Sequence, residues 1–552
     1  MFLERVEVAG FRGIYRLSLL LEQNTVLIGE NAWGKSSLLD ALTLLLAPRD
    51  TLYAFDGDDF YFPQGEQENR ERHLHIILTF RETTPGQMRR RRYRGLSEVW
   101  NACEDGYQRI YYRLEGELGD CGEVMTLRSF LDERGEALAL KDIDRIARHI
   151  VRLNPVLRLR DARFTRRVRG GSIPGGAGDG VNERELARLA RQLAARPQQL
   201  SDAQLRQGLS AMAQLLEHYF IEQGVNPHIP RQQRKRSHDE RRGWRYLDDI
   251  NRMIDKPNGR AHRMILLGMF SMLLQAKGSV RLDRGARPLV LVEDPETRLH
   301  PIMLSVAWHL LNLLPLQKVV TTNSGELLSL TPIEQVCRLV RESGRVAAWR
   351  LGPGGMNAED SRRIAFHIRF NRPSSLFARC WLLVEGETEV WVMNELARQC
   401  GYRFDAEGVK VIEFAQCGLR PLIKFARRMG IEWHVLADGD EAGKKYAATV
   451  RGLLEQNSAQ ERERLTLLPA LDMEHFMYRQ GFDNVYHRVA QIPQGVAMNM
   501  RRVITKAIHR SSKPDLALEV AMEAERRGVE AVPPLMRKMF SRVVWLARGR
   551  AD

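Results

Sequence analysis

The sequence predicts an α/β fold: a phosphate-binding lobe interrupted by a helical insertion and followed by a second α/β domain. Three observations carry this. Gly29-Glu30-Asn31-Ala32-Trp33-Gly34-Lys35-Ser36-Ser37 fits G-x-x-x-x-G-K-[ST] at every fixed position. The aliphatic run Leu289-Val290-Leu291-Val292 ends in Glu293-Asp294-Pro295-Glu296, and two later strand-like runs also end in acids, Glu385-Gly386-Glu387-Thr388-Glu389 and Asp438-Gly439-Asp440. Short apolar runs ending in polar turns are the mark of strands buried on both faces of a parallel sheet.

Taken in order, Leu3, Val6 and Val8 alternate as a strand, Phe11-Arg12-Gly13-Ile14 forms a turn, and Leu17, Leu19 and Leu21 give a second strand. Asn24 to Ile28 is a buried strand leading into the P-loop. Leu38, Leu39, Leu42 and Leu46 then recur at helical spacing, and Pro48 marks the stop. In such a loop Gly29 and Gly34 let backbone N–H groups face a phosphate, Lys35 meets the β- and γ-phosphates, and Ser36 can hold Mg²⁺.

His73 to Phe80 and Gln108 to Glu115 read as further strands. From about Lys141 the pattern turns helical and Arg-rich, broken by a glycine-rich stretch from Gly170 to Gly180. Asn182 to Ala195 and Asp202 to Phe220 look like two amphipathic helices, an insertion suited to a lid or a dimer contact. Lys318 to Thr322 is a strand ending in Asn323-Ser324. After Pro373 the pattern restarts with the strand Cys380 to Val384, followed by strands at Val409 to Phe414 and Trp433 to Ala437.

Composition narrows the class. The 552 residues carry a net charge of +15, and the pI is near 9.7. That balance favours a polyanionic partner such as DNA, because neutralised phosphates release counterions. Basic clusters at Arg89 to Arg94, Arg158 to Arg169 and Arg231 to Arg245, the last with Trp244, are candidate contacts, although solvated loops explain them equally well. No signal peptide opens the chain, and the longest nearly apolar run, Met264 to Ala276, is too short for a bilayer, so no membrane anchor is expected. The six cysteines form no C-x-x-C pair and have no histidine partner at zinc spacing. Reduced cysteines, no zinc and a cytoplasmic location are expected.

The acids at the second sheet edge point to a metal. Glu385 at a strand end and Glu389 on the next helical turn can share one side, and Asp438 and Asp440, two apart on extended chain, point the same way. Two like charges at 4 Å repel by about 1 kcal/mol in water and about 4 at an effective dielectric of 20, so a divalent cation is the natural compensation. All-oxygen ligands suit Mg²⁺ or Mn²⁺.

Phe11 to Ile14, Gly29 to Ser37, Val292 to Glu296 with Leu299-His300-Pro301, and Thr321 to Ser324 together resemble the ATPase head of the OLD (overcoming lysogenization defect) family, relatives of RecF and SMC proteins. E-G-x-x-E followed about fifty residues later by D-x-D resembles the Toprim fold of the same family. The resemblance implies an ABC/RecF-like P-loop ATPase with a helical insertion, followed by a Toprim α/β domain. Expected boundaries are 1–150 for the first part of the head, 151–255 for the insertion, 256–370 for the rest of the head and 371–552 for the Toprim domain with a C-terminal helical region.

It also implies roles. Glu293 corresponds to the Mg²⁺-associated acid, Asp294 to the hydrolytic glutamate, and Gly259 to a signature-motif remnant that would reach ATP from a second subunit of a homodimer. Gln64 and Gln67 are candidates for the glutamine loop. Glu474, in Leu471-Asp472-Met473-Glu474-His475-Phe476, would add to a second metal site, and Lys513 would lie near the scissile phosphate. Two departures from the family pattern matter: Asp294 is one methylene shorter than glutamate, and Asn323 stands where the family has histidine and cannot gain a proton. Slow ATP turnover is expected. The activity implied is ATP-gated, metal-dependent DNA cleavage; the alternative is a nucleotide-switched DNA-binding protein of SMC or RecF type without nuclease activity.

Overall fold

A computed structural model describes residues 1–48, 51–62, 72–119, 121–159, 188–189, 192, 200–220, 263–264, 266–269, 282, 286–297, 300–314, 316–352, 354–454, 458–493, 496 and 498–549. They form two compact units. The first holds Met1–Thr331, Gln335–Leu339 and Gly344–Ala348, and the second holds Pro332–Glu334, Val340–Ser343 and Trp349–Asp552.

The first unit is built on a sheet of twelve strands. These are β1 (Phe2–Phe11), β2 (Ile14–Leu20), β3 (Asn24–Ile28), β4 (His73–Arg81), β5 (Asn101–Ala102), β6 (Gln108–Leu118), β7 (Val124–Leu131), β8 (Val156–Leu159), β9 (Leu289–Glu293), β10 (Gln317–Thr321), β11 (Val336–Glu342) and β12 (Arg345–Arg350). The order is β5-β6-β4-β1-β2-β12-β11-β3-β10-β9-β8, with β7 on β6. Strands β8, β9, β10, β3 and β11 pair in parallel, whereas β1, β2, β4, β6 and β7 pair antiparallel. The division follows the side chains. In β9 Leu289 to Val292 are all buried, as burial on both faces requires, while β2 alternates buried Leu17 and Leu19 with exposed neighbours.

Helix α1 (Lys35–Leu45) buries Leu38, Leu39, Leu42 and Leu45 and ends three residues before Pro48. A further helix, α2 (Ile143–Leu153), is N-capped by Asp142, whose carboxylate accepts from the Arg145 N–H. This helix ends at Leu153. Val156–Leu159 is instead the edge strand β8, paired with β9. Of the insertion, α3 (Asp202–Phe220) is described. Most of Asn182 to Ala195, the glycine-rich stretch, the basic cluster Arg231 to Arg245, Gly259, Gln64 and Gln67 lie outside the described residues.

The second unit holds a parallel four-stranded sheet in the order β14-β13-β15-β16. Its strands are β13 (Cys380–Val384), β14 (Val409–Glu413), β15 (Glu432–Ala437) and β16 (Leu465–Leu467). Helices α4 (Glu387–Gln399), α5 (Leu419–Arg428) and α6 (Glu441–Leu453) follow β13, β14 and β15, so three strand ends lead into helix starts at one edge. Trp381 stacks on Phe425 at 6.0 Å beneath this sheet. A helical C-terminal part, including α7 (Lys513–Arg527) and α8 (Pro534–Arg548), packs its apolar face with Leu382, Val384 and Val411 of this sheet in one core.

Candidate functional site

In the first unit the loop after β3 is shaped by close approach. Gly29 has φ 148° and a Cβ there would lie 2.6 Å from the carbonyl oxygen of Leu339; Gly34 has φ 87° and a Cβ would meet Ile14 at 2.9 Å. Between them Trp33 is buried, with the Arg338 guanidinium 6.0 Å above its ring. Gly34 is the N-cap of α1 and supplies no side-chain cap, which leaves the first N–H groups open to an anion. Ser36 is exposed at this end, and Ser37 Oγ accepts from the Gly13 N–H at 3.3 Å.

Lys35 is buried and folds back over the loop. Its ammonium donates to the Gly29 carbonyl and, across 2.9 Å, to Asn323 Oδ1. Burial pulls its pKa down, opposed by Asp294, Glu296 and Glu30. The Asn323 amide also donates to Asn31 Oδ1 at 3.3 Å, and its backbone N–H donates to Glu296 Oε1 at 2.7 Å. The P-loop and the end of β10 are thus joined through one asparagine.

The acids at the end of β9 separate in role. Glu293 pairs with Arg158 at 2.8 Å; Arg158, its side chain only 5% exposed, also pairs with Asp40 of α1, and Asp40 pairs with Arg12. Arg158 opens a basic cluster that the sequence leaves open between a DNA contact and a solvated loop. It is instead an internal cation, because its four-residue strand lies against β9 and two carboxylates close on it. Asp294 adopts φ 40°, unusual for a non-glycine residue, and the Thr321 hydroxyl donates to its Oδ1 at 3.1 Å. Of the other basic cluster, Arg89, Arg91 and Arg94 are exposed, but Tyr93 is buried with its hydroxyl accepting from the N-terminal amine.

In the second unit the structure brings Glu385, Glu389, Asp438, Asp440, Asp472, Glu474 and Lys513 into one electrostatic neighbourhood. Burial, then Glu385, Glu389, Asp472 and Glu474, pushes the Asp438 carboxyl up to about 8. Glu385 is raised by burial, Asp440 and Glu389, and Glu389 by burial and Glu474. Several of these acids have local partners. Glu389 accepts from the Gly386 N–H at 3.0 Å, Asp440 caps α6 by accepting from the Gly443 N–H at 2.7 Å, and Asp472 accepts from His475 Nδ1 at 2.6 Å. Glu474 pairs with Lys513 at 3.0 Å. Burial works against the charge of Lys513, yet Glu474, Asp472 and Glu389 raise its pKa.

Among the described residues, no three or more Asp, Glu, His or Cys side chains close on one point as a ligand set. Mutual repulsion accounts for the spread. The residues still fit a hard divalent cation: Oε2 of Glu385 is buried without a hydrogen-bond partner, and the nearby donors are carboxylate oxygens. Asp472, which the sequence did not single out, acts on Asp438 and Lys513 and also accepts from the His475 N–H at 2.8 Å as a helix cap. All six cysteines are free thiols, and no helix among the described residues is long and apolar enough to cross a membrane.

Residues 1–375 match the profile of a family described as protein of unknown function (DUF2813), and residues 376–440 match the overcoming lysogenization defect protein-like TOPRIM domain. Across the full length of both chains the sequence is 72% identical to the protein described as uncharacterized protein YbjD of Escherichia coli (strain K12). Similar solved structures include the C-terminal region of the Burkholderia pseudomallei OLD protein, at 17% identity and a TM-score of 0.27, covering 31% of this chain and 99% of that one. The SMC head domain from Thermotoga maritima is similar at 13% identity and a TM-score of 0.30, covering 64% and 100%. A unit that carries the P-loop motif at Gly29 to Ser37 is thus followed by a Toprim domain. The chain belongs to the family described as DUF2813 and, at 72% identity, to one family with YbjD; its OLD-like match is confined to the TOPRIM domain.

Proposed function

We propose that this protein is an ATP-binding DNA endonuclease that uses Mg²⁺ or Mn²⁺, acts as a cytoplasmic homodimer, and cuts DNA phosphodiesters at the Toprim edge under control of the ATPase head. The observation that carries the reading is the acidic edge: a Glu385 oxygen buried without a partner beside Asp438, whose proton is retained to about 8. Acids held at this cost at a sheet edge are better explained by a ligand than by stability. Glu385, Glu389, Asp438 and Asp440, with Glu474, would hold the metal; the chemistry that a bound divalent cation supplies is activation of water and neutralisation of the leaving oxygen. Asp438 gives up its proton when the cation arrives. Lys513, half-exposed and paired with Glu474, would contact a DNA phosphate on leaving that acid.

In the head, the loop Gly29 to Ser37 would cradle the phosphates, with Lys35 exchanging Asn323 for the β- and γ-phosphates and Ser36 and Glu293 on the Mg²⁺ side. The domain limits proposed are 1–150, 151–255, 256–370 and 371–552. The second reading, a nucleotide-switched DNA-binding protein without cleavage, is favoured by the Glu474–Lys513 pair and by the use of Asp440 as a helix cap. Incubation of supercoiled plasmid with pure protein and Mg²⁺ or Mn²⁺, with and without ATP, separates the two. Nicked or linear product is expected. DNA retention with no product under any of these conditions would establish the second.

A further inference from the structure

We infer that Glu296, and not Asp294, is the carboxylate that orients the attacking water when ATP is hydrolysed in the head. The inference rests on the nucleotide-binding reading of the P-loop. Glu296 lies in the short turn Pro295–Thr297, which is fixed by the Thr297 N–H and hydroxyl donating to the Asp294 carbonyl at 3.1 and 3.0 Å. One of its oxygens, Oε1, accepts from the Asn323 N–H at 2.7 Å, and the other, Oε2, is buried with no hydrogen-bond partner. Leaving a buried carboxylate oxygen unsatisfied is costly, and a site that retains one has a use for it.

Position supplies the use. Asn323, whose backbone holds Glu296, accepts from the Lys35 ammonium through its side chain at 2.9 Å. Glu296 therefore sits one residue away from the cation assigned to the β- and γ-phosphates. The other two acids are engaged elsewhere. Glu293 is paired with the buried Arg158. Asp294 is one methylene shorter and is held on Thr321, whose hydroxyl donates to its Oδ1 at 3.1 Å and accepts from its backbone N–H at 3.3 Å. Glu296 is left with the longer side chain and a free lone pair next to Asn323.

In the step assigned to it, the water oxygen forms a bond to the γ-phosphorus. The bond from that phosphorus to the β–γ bridging oxygen breaks, its electron pair leaving on ADP. Glu296 takes the water proton and passes it to solvent, so the products are ADP and inorganic phosphate.

The test uses the full chain and compares native protein with Glu296→Gln, Asp294→Asn and Lys35→Ala. Three readouts are needed: affinity for a fluorescent ATP analogue, phosphate release, and the identity of protein-bound nucleotide after gel filtration. Glu296→Gln is expected to bind within about threefold of native, to release phosphate about 10²-fold more slowly, and to retain intact ATP where native protein retains ADP. Asp294→Asn is expected to lose less than about fivefold. Native turnover by Glu296→Gln, failure of that variant to bind, a larger loss in Asp294→Asn, or ATP binding by native protein with no phosphate release would each overturn the assignment. Equal analogue affinity in native protein and Lys35→Ala would instead overturn the nucleotide reading itself.

Discussion

The Lys35 ammonium and the Asn323 side-chain oxygen, 288 residues apart in sequence, are joined by a 2.9 Å hydrogen bond that closes the P-loop against the end of β10. A phosphate entering the loop must take this ammonium from an acceptor it already has. Lys35→Ala removes charge-assisted bonds worth about 1.5–3 kcal/mol each, so ATP affinity should fall by at least about 100-fold. Because Lys35 is buried against its own preference for charge, the fold should lose little. A fluorescent-analogue titration beside a thermal melt checks both, and native affinity in the variant would remove the P-loop assignment.

Arg158 gives a stability prediction of opposite kind. It is almost fully buried between Asp40 and Glu293, each about a quarter exposed. Removing the cation leaves two carboxylates facing each other, so Arg158→Met should destabilise the head by about 3 kcal/mol, the lower end for a broken buried pair because the acids still reach solvent. The urea midpoint should drop with an unchanged slope. DNA affinity should not change, since this arginine faces no solvent; a variant that weakens DNA binding without losing stability would contradict the placement.

Two buried groups in the second unit make stability depend on pH in opposite senses. His434, held neutral by burial between the Glu463 carbonyl and the Thr466 hydroxyl, has its pKa pulled from 6.5 to about 4. The unfolded chain binds that proton first, so stability falls as pH drops from about 6.5 to 4, by about 3 kcal/mol. Asp438 is raised from 3.8 to about 8, so between those values the native state holds a proton that the unfolded chain has lost, and stability falls as pH rises. Between about 4 and 6.5 the two slopes oppose, so melting curves of Asp438→Asn should show stability rising with pH across that range and no further fall to about 8, and those of His434→Gln should show stability falling from about 4 to 8. Either variant retaining the native slope would show that its group is not the one titrating.

The parts of this chain that were legible are those whose signal is local. Strands β9 and β13 announce themselves as unbroken apolar runs and β3, β14 and β15 as mostly apolar ones, and the P-loop needs only its own nine residues. What was missed depends on distant partners. Val156-Leu157-Arg158-Leu159 reads as a continuation of an Arg-rich helix until Glu293, 135 residues on, takes the guanidinium. Lys318 opens the strand read over Lys318 to Thr322, and nothing beside it in the sequence marks its burial. It is 2% exposed, its ammonium donating to Asn24 Oδ1 and to the carbonyls of Leu314 and Leu316, and burial lowers its pKa to about 7. Glu296 was visible only as one more acid after a strand. Its significance lies in which of its oxygens has a partner, and sequence spacing carries no such information.

The acidic edge of the second unit supplies the last prediction. Asp438 and Glu385 repel each other, and each is raised by burial and by further acids. If these carboxylates hold the cation, replacing either one removes a ligand while leaving the basic surface that attracts phosphates untouched. Asp438→Ala and Glu385→Ala should therefore abolish Mg²⁺- or Mn²⁺-dependent nicking of plasmid DNA and leave gel-shift affinity at the native value, since neither change removes a cationic side chain. Relief of repulsion should also make both variants at least as stable as native protein without metal. The stabilisation that added Mn²⁺ gives native protein, about RT ln(1 + [Mn²⁺]/Kd), should shrink. Cutting by the variants at the native rate would place the chemistry elsewhere or in a contaminant. Cutting by neither native nor variant protein, with a Mn²⁺ shift in native protein alone, would keep the metal site and move the function to nucleotide-switched binding.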